Sequence, residues 1–95
     1  MKILVMKINL RANWVHSLKE KRMVVKSLTQ KLKSNFNVSV SEIENQDLHQ
    51  RITIAIVAIA LETRQCDVVG EKIINFIDVN TDAEIIGIEE EINQY

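Results

Sequence analysis

Between Lys2 and Arg11 apolar side chains recur at every second position. Leu4, Met6, Ile8 and Leu10 share one parity; Ile3 and Val5, then Lys7, Asn9 and Arg11, share the other. A period of two with one wholly apolar face predicts a strand that buries one side and turns from apolar to polar on the other. The period then changes. Leu18, Val24, Val25, Leu28, Leu32 and Phe36 fall on one arc of about 120° when wound at about 100° per residue. Ser17-Leu18-Lys19-Glu20 has the form of a capping box, in which serine and glutamate each satisfy one end of the helix start. The pattern predicts a helix from there to about Phe36.

Val38 to Glu44 reads as a short strand with Val38 and Val40 on one face, and Ile43 on the wrong parity predicts a bulge near Ser41 or Glu42. Asn45 to Gln50 is a polar connection, and Ile52 to Leu61 is apolar on both parities, as in a central strand. Two strands with so short a link suggest an antiparallel hairpin. Thr63 is placed to cap a second helix over Arg64 to Val79, with Asp67 near its positive end and a stripe of Cys66, Val69, Ile73, Phe76 and Ile77. After Asn80-Thr81-Asp82, residues Ala83 to Ile92 supply a last strand, expected to fray at Glu89-Glu90-Glu91.

The predicted order β-α-β-β-α-β is that of a ferredoxin-like α+β fold: a four-stranded antiparallel sheet with both helices on one face. Right-handed crossovers put the first and third strands at the centre. The 95 residues, with no Pro and only Gly70 and Gly87, offer no linker, so one domain spans 1–95. Since both helices occupy one side, the other sheet face meets water or a partner. Either parity of the third strand is apolar, and Ile3 and Val5 extend it, so self-association as a homodimer through this face is expected. An RRM is disfavoured, because such domains stack bases on aromatics of the two central strands. Here Trp14, Phe36, Phe76 and Tyr95 all lie elsewhere.

At 46% hydrophobic and 26% charged, the chain is ordinary globular material. The apolar run Ile52 to Leu61 is about half the length of a membrane span, so no membrane role is expected. The apolar start resembles a signal peptide only until Lys7 interrupts it, and no small-residue cleavage site follows. The lone Cys66 has no disulfide partner, which fits a cytoplasmic protein.

Charge changes the picture more. The net charge is −1, yet residues 1–51 carry +6 and residues 52–95 carry −7, a separation that bears on partners rather than on fold. On the first helix, Lys19, Arg22, Lys26 and Lys33 fall within about 60° of one another, forming a candidate phosphate-binding stripe. A merely solvated helix face is the plainer alternative. Arg11 and Arg51, at strand ends, are candidates to extend the stripe. Lys21 falls inside the apolar arc, where its stem is expected to pack while its ammonium reaches solvent.

Catalytic signals are weak. His16 and His49 occupy separate loops with no Cys or third His beside them, which disfavours zinc. Cys66 on a buried stripe reads as inert packing, and Glu89-Glu90-Glu91 as a solvated tail rather than a metal site. An acylphosphatase needs a glycine-containing phosphate loop after the first strand, and Ala12-Asn13-Trp14-Val15-His16 has none. No catalytic residue, metal or cofactor is assigned.

Ser17-Leu18-Lys19-Glu20-Lys21-Arg22, Val25-Lys26-Ser27-Leu28, Phe36-Asn37-Val38-Ser39-Val40 and Gln46-Asp47-Leu48-His49-Gln50-Arg51, with Phe76-Ile77 ahead of Asp82-Ala83-Glu84, resemble the YlxP-like family of small bacterial proteins. The match spans nearly the whole chain and departs at His49, where that family often carries Trp. The resemblance implies a ferredoxin-like fold and no established biochemical activity. It also implies gene neighbours in translation and ribosome maturation, which favours structured RNA or the ribosome over DNA as a partner of the basic helix. The expectation is therefore a non-catalytic binding module, with protein assembly through the open sheet face as the rival.

Overall fold

A computed structural model describes all 95 residues. Strand β1 (Lys2–Arg11) is followed by helix α1 (Leu18–Asn35), strands β2 (Val38–Glu44) and β3 (Arg51–Ala60), helix α2 (Thr63–Asn80) and strand β4 (Glu84–Gln94). The sheet order is β2-β3-β1-β4 and every pairing is antiparallel, so the chain has the expected ferredoxin-like α+β architecture. The β1–β3 register sets Leu4 opposite Ala58, Met6 opposite Ile56, Ile8 opposite Ile54 and Leu10 opposite Ile52. These eight side chains are buried and floor a core that Leu28 and Leu32 of α1 and Cys66, Ile73 and Ile77 of α2 roof over. Helix α1 lies toward the β2 edge, whereas α2 covers β1, β3 and β4. Phe36, at the end of α1, and Phe76 of α2 meet edge to face, with centroids 5.4 Å apart.

Several boundaries differ from the sequence expectation for local reasons. Ser17 Oγ accepts from the Glu20 N–H at 3.1 Å, but the Glu20 carboxylate meets the serine hydroxyl rather than the backbone, so the capping box is only half made. Helix α2 starts at Thr63 with Glu62, not Thr63, as its cap residue. Gln65 Oε1 folds back to accept the Leu61 and Glu62 N–H groups at 2.9 and 3.2 Å, so the third helical residue caps this end. Strand β4 does not fray at the acidic run but continues to Gln94. Period-two alternation separates its carboxylates: Glu89 and Glu91 lie opposite Lys7 and Val5, and Glu90 lies opposite the buried Met6 on the helix side.

The expected bulge falls at Ile43. Glu42 pairs with Ile54 and Glu44 with Thr53, so two steps along β2 match one along β3. Without the extra residue Glu42 and Glu44 would share a face. With it, Glu42 points under α1, 2.8 Å from Lys21 Nζ, and Glu44 points out of the sheet, 2.8 Å from Lys7 Nζ. The sequence reading of Lys21 is thereby corrected. Its ammonium does not reach solvent: the residue is 1% exposed and also donates to the Asn45 carbonyl. Burial of an ammonium is tolerated only with such partners. Asn45 makes the arrangement possible by adopting φ 59°, a left-handed conformation in which Asn is among the better-tolerated residues. Its side-chain amide donates to Thr53 Oγ1 at 2.9 Å, and that hydroxyl donates to Asn9 Oδ1 at 2.8 Å. On the outer face, the hydrogen bond to Glu44 and the charges of Glu44 and Glu89 hold the Lys7 ammonium above its ordinary pKa against a smaller desolvation.

Two stability predictions follow from this packing. Lys21→Met strands the Glu42 carboxylate and the Asn45 carbonyl. Because Glu42 keeps 20% side-chain exposure, the expected loss is about 2 kcal/mol, below the cost of orphaning a fully buried charge. Lys21→Met with Glu42→Leu should recover to within about 1 kcal/mol of the parent in urea unfolding, and a double variant no better than the single one would refute the pairing. At Gly70, an added Cβ would collide with Glu90 Oε1 and lie 3.8 Å from Leu4 Cδ2. Only a flexible, exposed carboxylate must move, so Gly70→Ala should stabilise by about 0.5 kcal/mol through helix propensity. Destabilisation in the same assay would show that α2 and β4 cannot give.

Candidate nucleic-acid interface on the first helix

The basic residues on α1 owe their grouping to helix geometry. Lys19, Arg22, Lys26 and Lys33 are all exposed and run along one flank, about 21 Å from first to last at 1.5 Å per residue. None has a carboxylate partner: the ion pairs of the chain are Lys7 with Glu44, Lys7 with Glu89, and Lys21 with Glu42. Glu20, the one acid of the helix, turns to Ser17. The acidic second half forms α2 and β4, away from the β2 edge over which α1 packs. Apart from Lys7 with Glu89 and Asp82 beside α1, the fold separates the two charge populations, leaving a cationic flank on which several phosphates of one strand could be neutralised together.

Arg11 and Arg51 do not extend this flank. They are register partners across β1 and β3 and share the parity of Lys7, Asn9 and Thr53, so they project from the sheet face opposite the helices. There the face is divided. Ile3, Val5, Val57 and Ile59 form an apolar half, with Val57 37% and Ile59 69% exposed. Lys7, Glu44 and Glu89 form a paired ionic half. Beyond Ile59 an apolar groove bends round the sheet end between Leu61, Val68, Val69 and Arg64.

The β1–α1 loop contains a feature the linear pattern did not reveal. Ala12 N–H donates to the Gln50 carbonyl at 2.9 Å, and Gln50 Nε2 donates to the carbonyls of Asn13 and Val15, both at 3.1 Å. This fastening to the β2–β3 connection holds Trp14, 43% exposed, beside Met23, Val24 and Ser27 of α1 and Asn80, Thr81 and Asp82 of the α2–β4 turn. His16 and His49 are exposed in the two fastened loops, no three His, Cys, Asp or Glu side chains converge, and Cys66 is buried. No helix is long and apolar enough to cross a membrane.

The hexapeptide Ser17 to Arg22 and the segment up to Arg51 meet at this end of the molecule through Lys21, Asn45 and Gln50, so much of their sequence pattern serves packing. The chain is 40% identical over 62 residues to "Uncharacterized protein YlxP" of Bacillus subtilis (strain 168), an alignment spanning 65% of this chain and 67% of that protein. The family described as "Protein of unknown function (DUF503)" matches residues 3–90. By the extent of that match, this chain belongs to the DUF503 family.

Proposed function

We propose that this protein is a non-catalytic binding module of the cytoplasm that contacts structured RNA, free or within the ribosome, through the basic flank of α1. The reading rests chiefly on one observation: Lys19, Arg22, Lys26 and Lys33 are exposed, share a flank and lack carboxylate partners. Lys7 and Lys21 are the cations of the chain that form ion pairs, and Lys21 is also buried. Four exposed cations grouped on one flank, on a chain of net charge −1, fit a surface that an external polyanion would cover. Contacts of this kind hold a partner in place without reading its bases.

A second reading draws on the outer sheet face. Ile59 and Val57 stand in water beside Ile3 and Val5, and a second copy of the chain is the partner proposed for them. The ionic half of that face carries both signs, Lys7 and Arg11 against Glu44 and Glu89, so a face related by a two-fold axis need not meet like charge.

Each reading has its own test. If four phosphates are neutralised, affinity for a structured RNA should fall roughly a hundredfold between about 50 and 200 mM salt. Arg22→Glu with Lys26→Glu should lower it at least thirtyfold, with circular dichroism unchanged; binding insensitive to both salt and charge reversal would end the RNA reading. For the sheet face, Ile59→Asp should convert a dimer to a monomer in sedimentation equilibrium. A parent protein that stays monomeric at millimolar concentration would eliminate that second interface.

A further inference from the structure

The groove beneath Trp14 joins the β1–α1 loop and the start of α1 to the α2–β4 turn, which lies more than fifty residues further along the chain. One wall is an indole, 43% exposed and held by the fastened loop. A second is the α1 surface at Met23, Val24 and Ser27, and the third is the turn Asn80-Thr81-Asp82. The groove is an open depression of about 290 Å³, at the small end of ligand sites and large enough for one base. Its polar wall has a definite sense. Thr81 Oγ1 accepts from the Ala83 N–H at 3.2 Å, which leaves the hydroxyl proton free to donate. Asp82 takes part in none of the ion pairs, and an ionised carboxylate only accepts.

We propose that this groove takes an unpaired guanine of the RNA, stacked on Trp14 and read by Asp82 and Thr81. The inference rests on the RNA reading above and adds to it a base-specific contact. Guanine alone among the four bases presents two adjacent N–H donors, N1 and N2, beside an acceptor, O6. The carboxylate matches the donors and the threonine hydroxyl the acceptor. Adenine would set its N1 lone pair against the carboxylate, and uracil offers one donor between two acceptors. An aromatic ring supplies sequence-tolerant stacking, so the selectivity falls to the turn. The phosphates have a path as well: Met23 is the i+4 neighbour of Lys19 and the i−3 neighbour of Lys26 on the helix surface. A nucleotide whose base enters the groove therefore carries its backbone onto the basic flank.

Trp14 is the only tryptophan of the chain, so its fluorescence reports the groove directly. The test titrates the whole protein with two RNA hairpins identical except for a single loop guanine or adenine, and separately with GMP. The guanine hairpin should quench the indole and bind about tenfold more tightly than the adenine hairpin, the discrimination typical of a bidentate base contact. Asp82→Asn should bring the guanine hairpin down to the adenine affinity while its salt dependence persists. Salt-dependent binding of both hairpins with no quenching, or with equal affinity in the parent protein, overturns the guanine site and leaves the phosphate interface standing. Failure of both hairpins to bind overturns both readings. GMP binding as tightly as the guanine hairpin overturns RNA as the source and makes the groove a free-nucleotide site.

Discussion

The arrangement at the heart of this molecule is the inserted residue Ile43 and the left-handed Asn45 two positions later. A strand with strict alternation would send Glu42 and Glu44 to the same side. The bulge sends one to the helix layer and one to the open face, and each finds a lysine there. Lys21 is thereby drawn inward from a helix whose other exposed cations stay in water. Its ion pair and its bond to the Asn45 carbonyl fix where the start of α1 sits over the β2–β3 connection. Displacing that start would swing the entire basic flank, so one lysine turned inward positions the four turned outward.

The same end of the molecule shows how a short sequence pattern serves several levels at once. Ser17 starts the helix, Lys21 locks it down, and Arg22 remains free at the surface. Gln50 fastens the preceding loop and so holds Trp14 against α1. Buried and exposed residues alternate within one turn of helix because adjacent positions differ by about 100° in direction. A buried ammonium and a solvated guanidinium can be sequence neighbours without sharing an environment.

What the sequence disclosed divides along the line between local and tertiary causes. The limits of β1 and β2 were legible because period-two burial is a property of the strand itself. The flank of Lys19, Arg22, Lys26 and Lys33 was legible because a helical wheel needs no partner. The fate of Lys21 was not, since its acceptors are a carboxylate and a carbonyl more than twenty residues away. Arg11 and Arg51 were misgrouped for a like reason: their strand positions were plain, but only the assembled layers reveal that their face is the one opposite α1. The cap of α2 was misplaced by one residue because Gln65, reaching back to two N–H groups, does what a threonine hydroxyl was expected to do. The Trp14 groove was invisible, being built from a loop, a helix and a turn that have no spacing rule in common.

The most direct measurement of the central idea is a heteronuclear NMR titration of the labelled protein with a structured RNA, following every backbone amide. A phosphate contact on the basic flank predicts shift changes concentrated between Lys19 and Lys33, with β1 and β3 undisturbed. Changes confined to the sheet face around Val57 and Ile59, or none at saturating RNA, would contradict it.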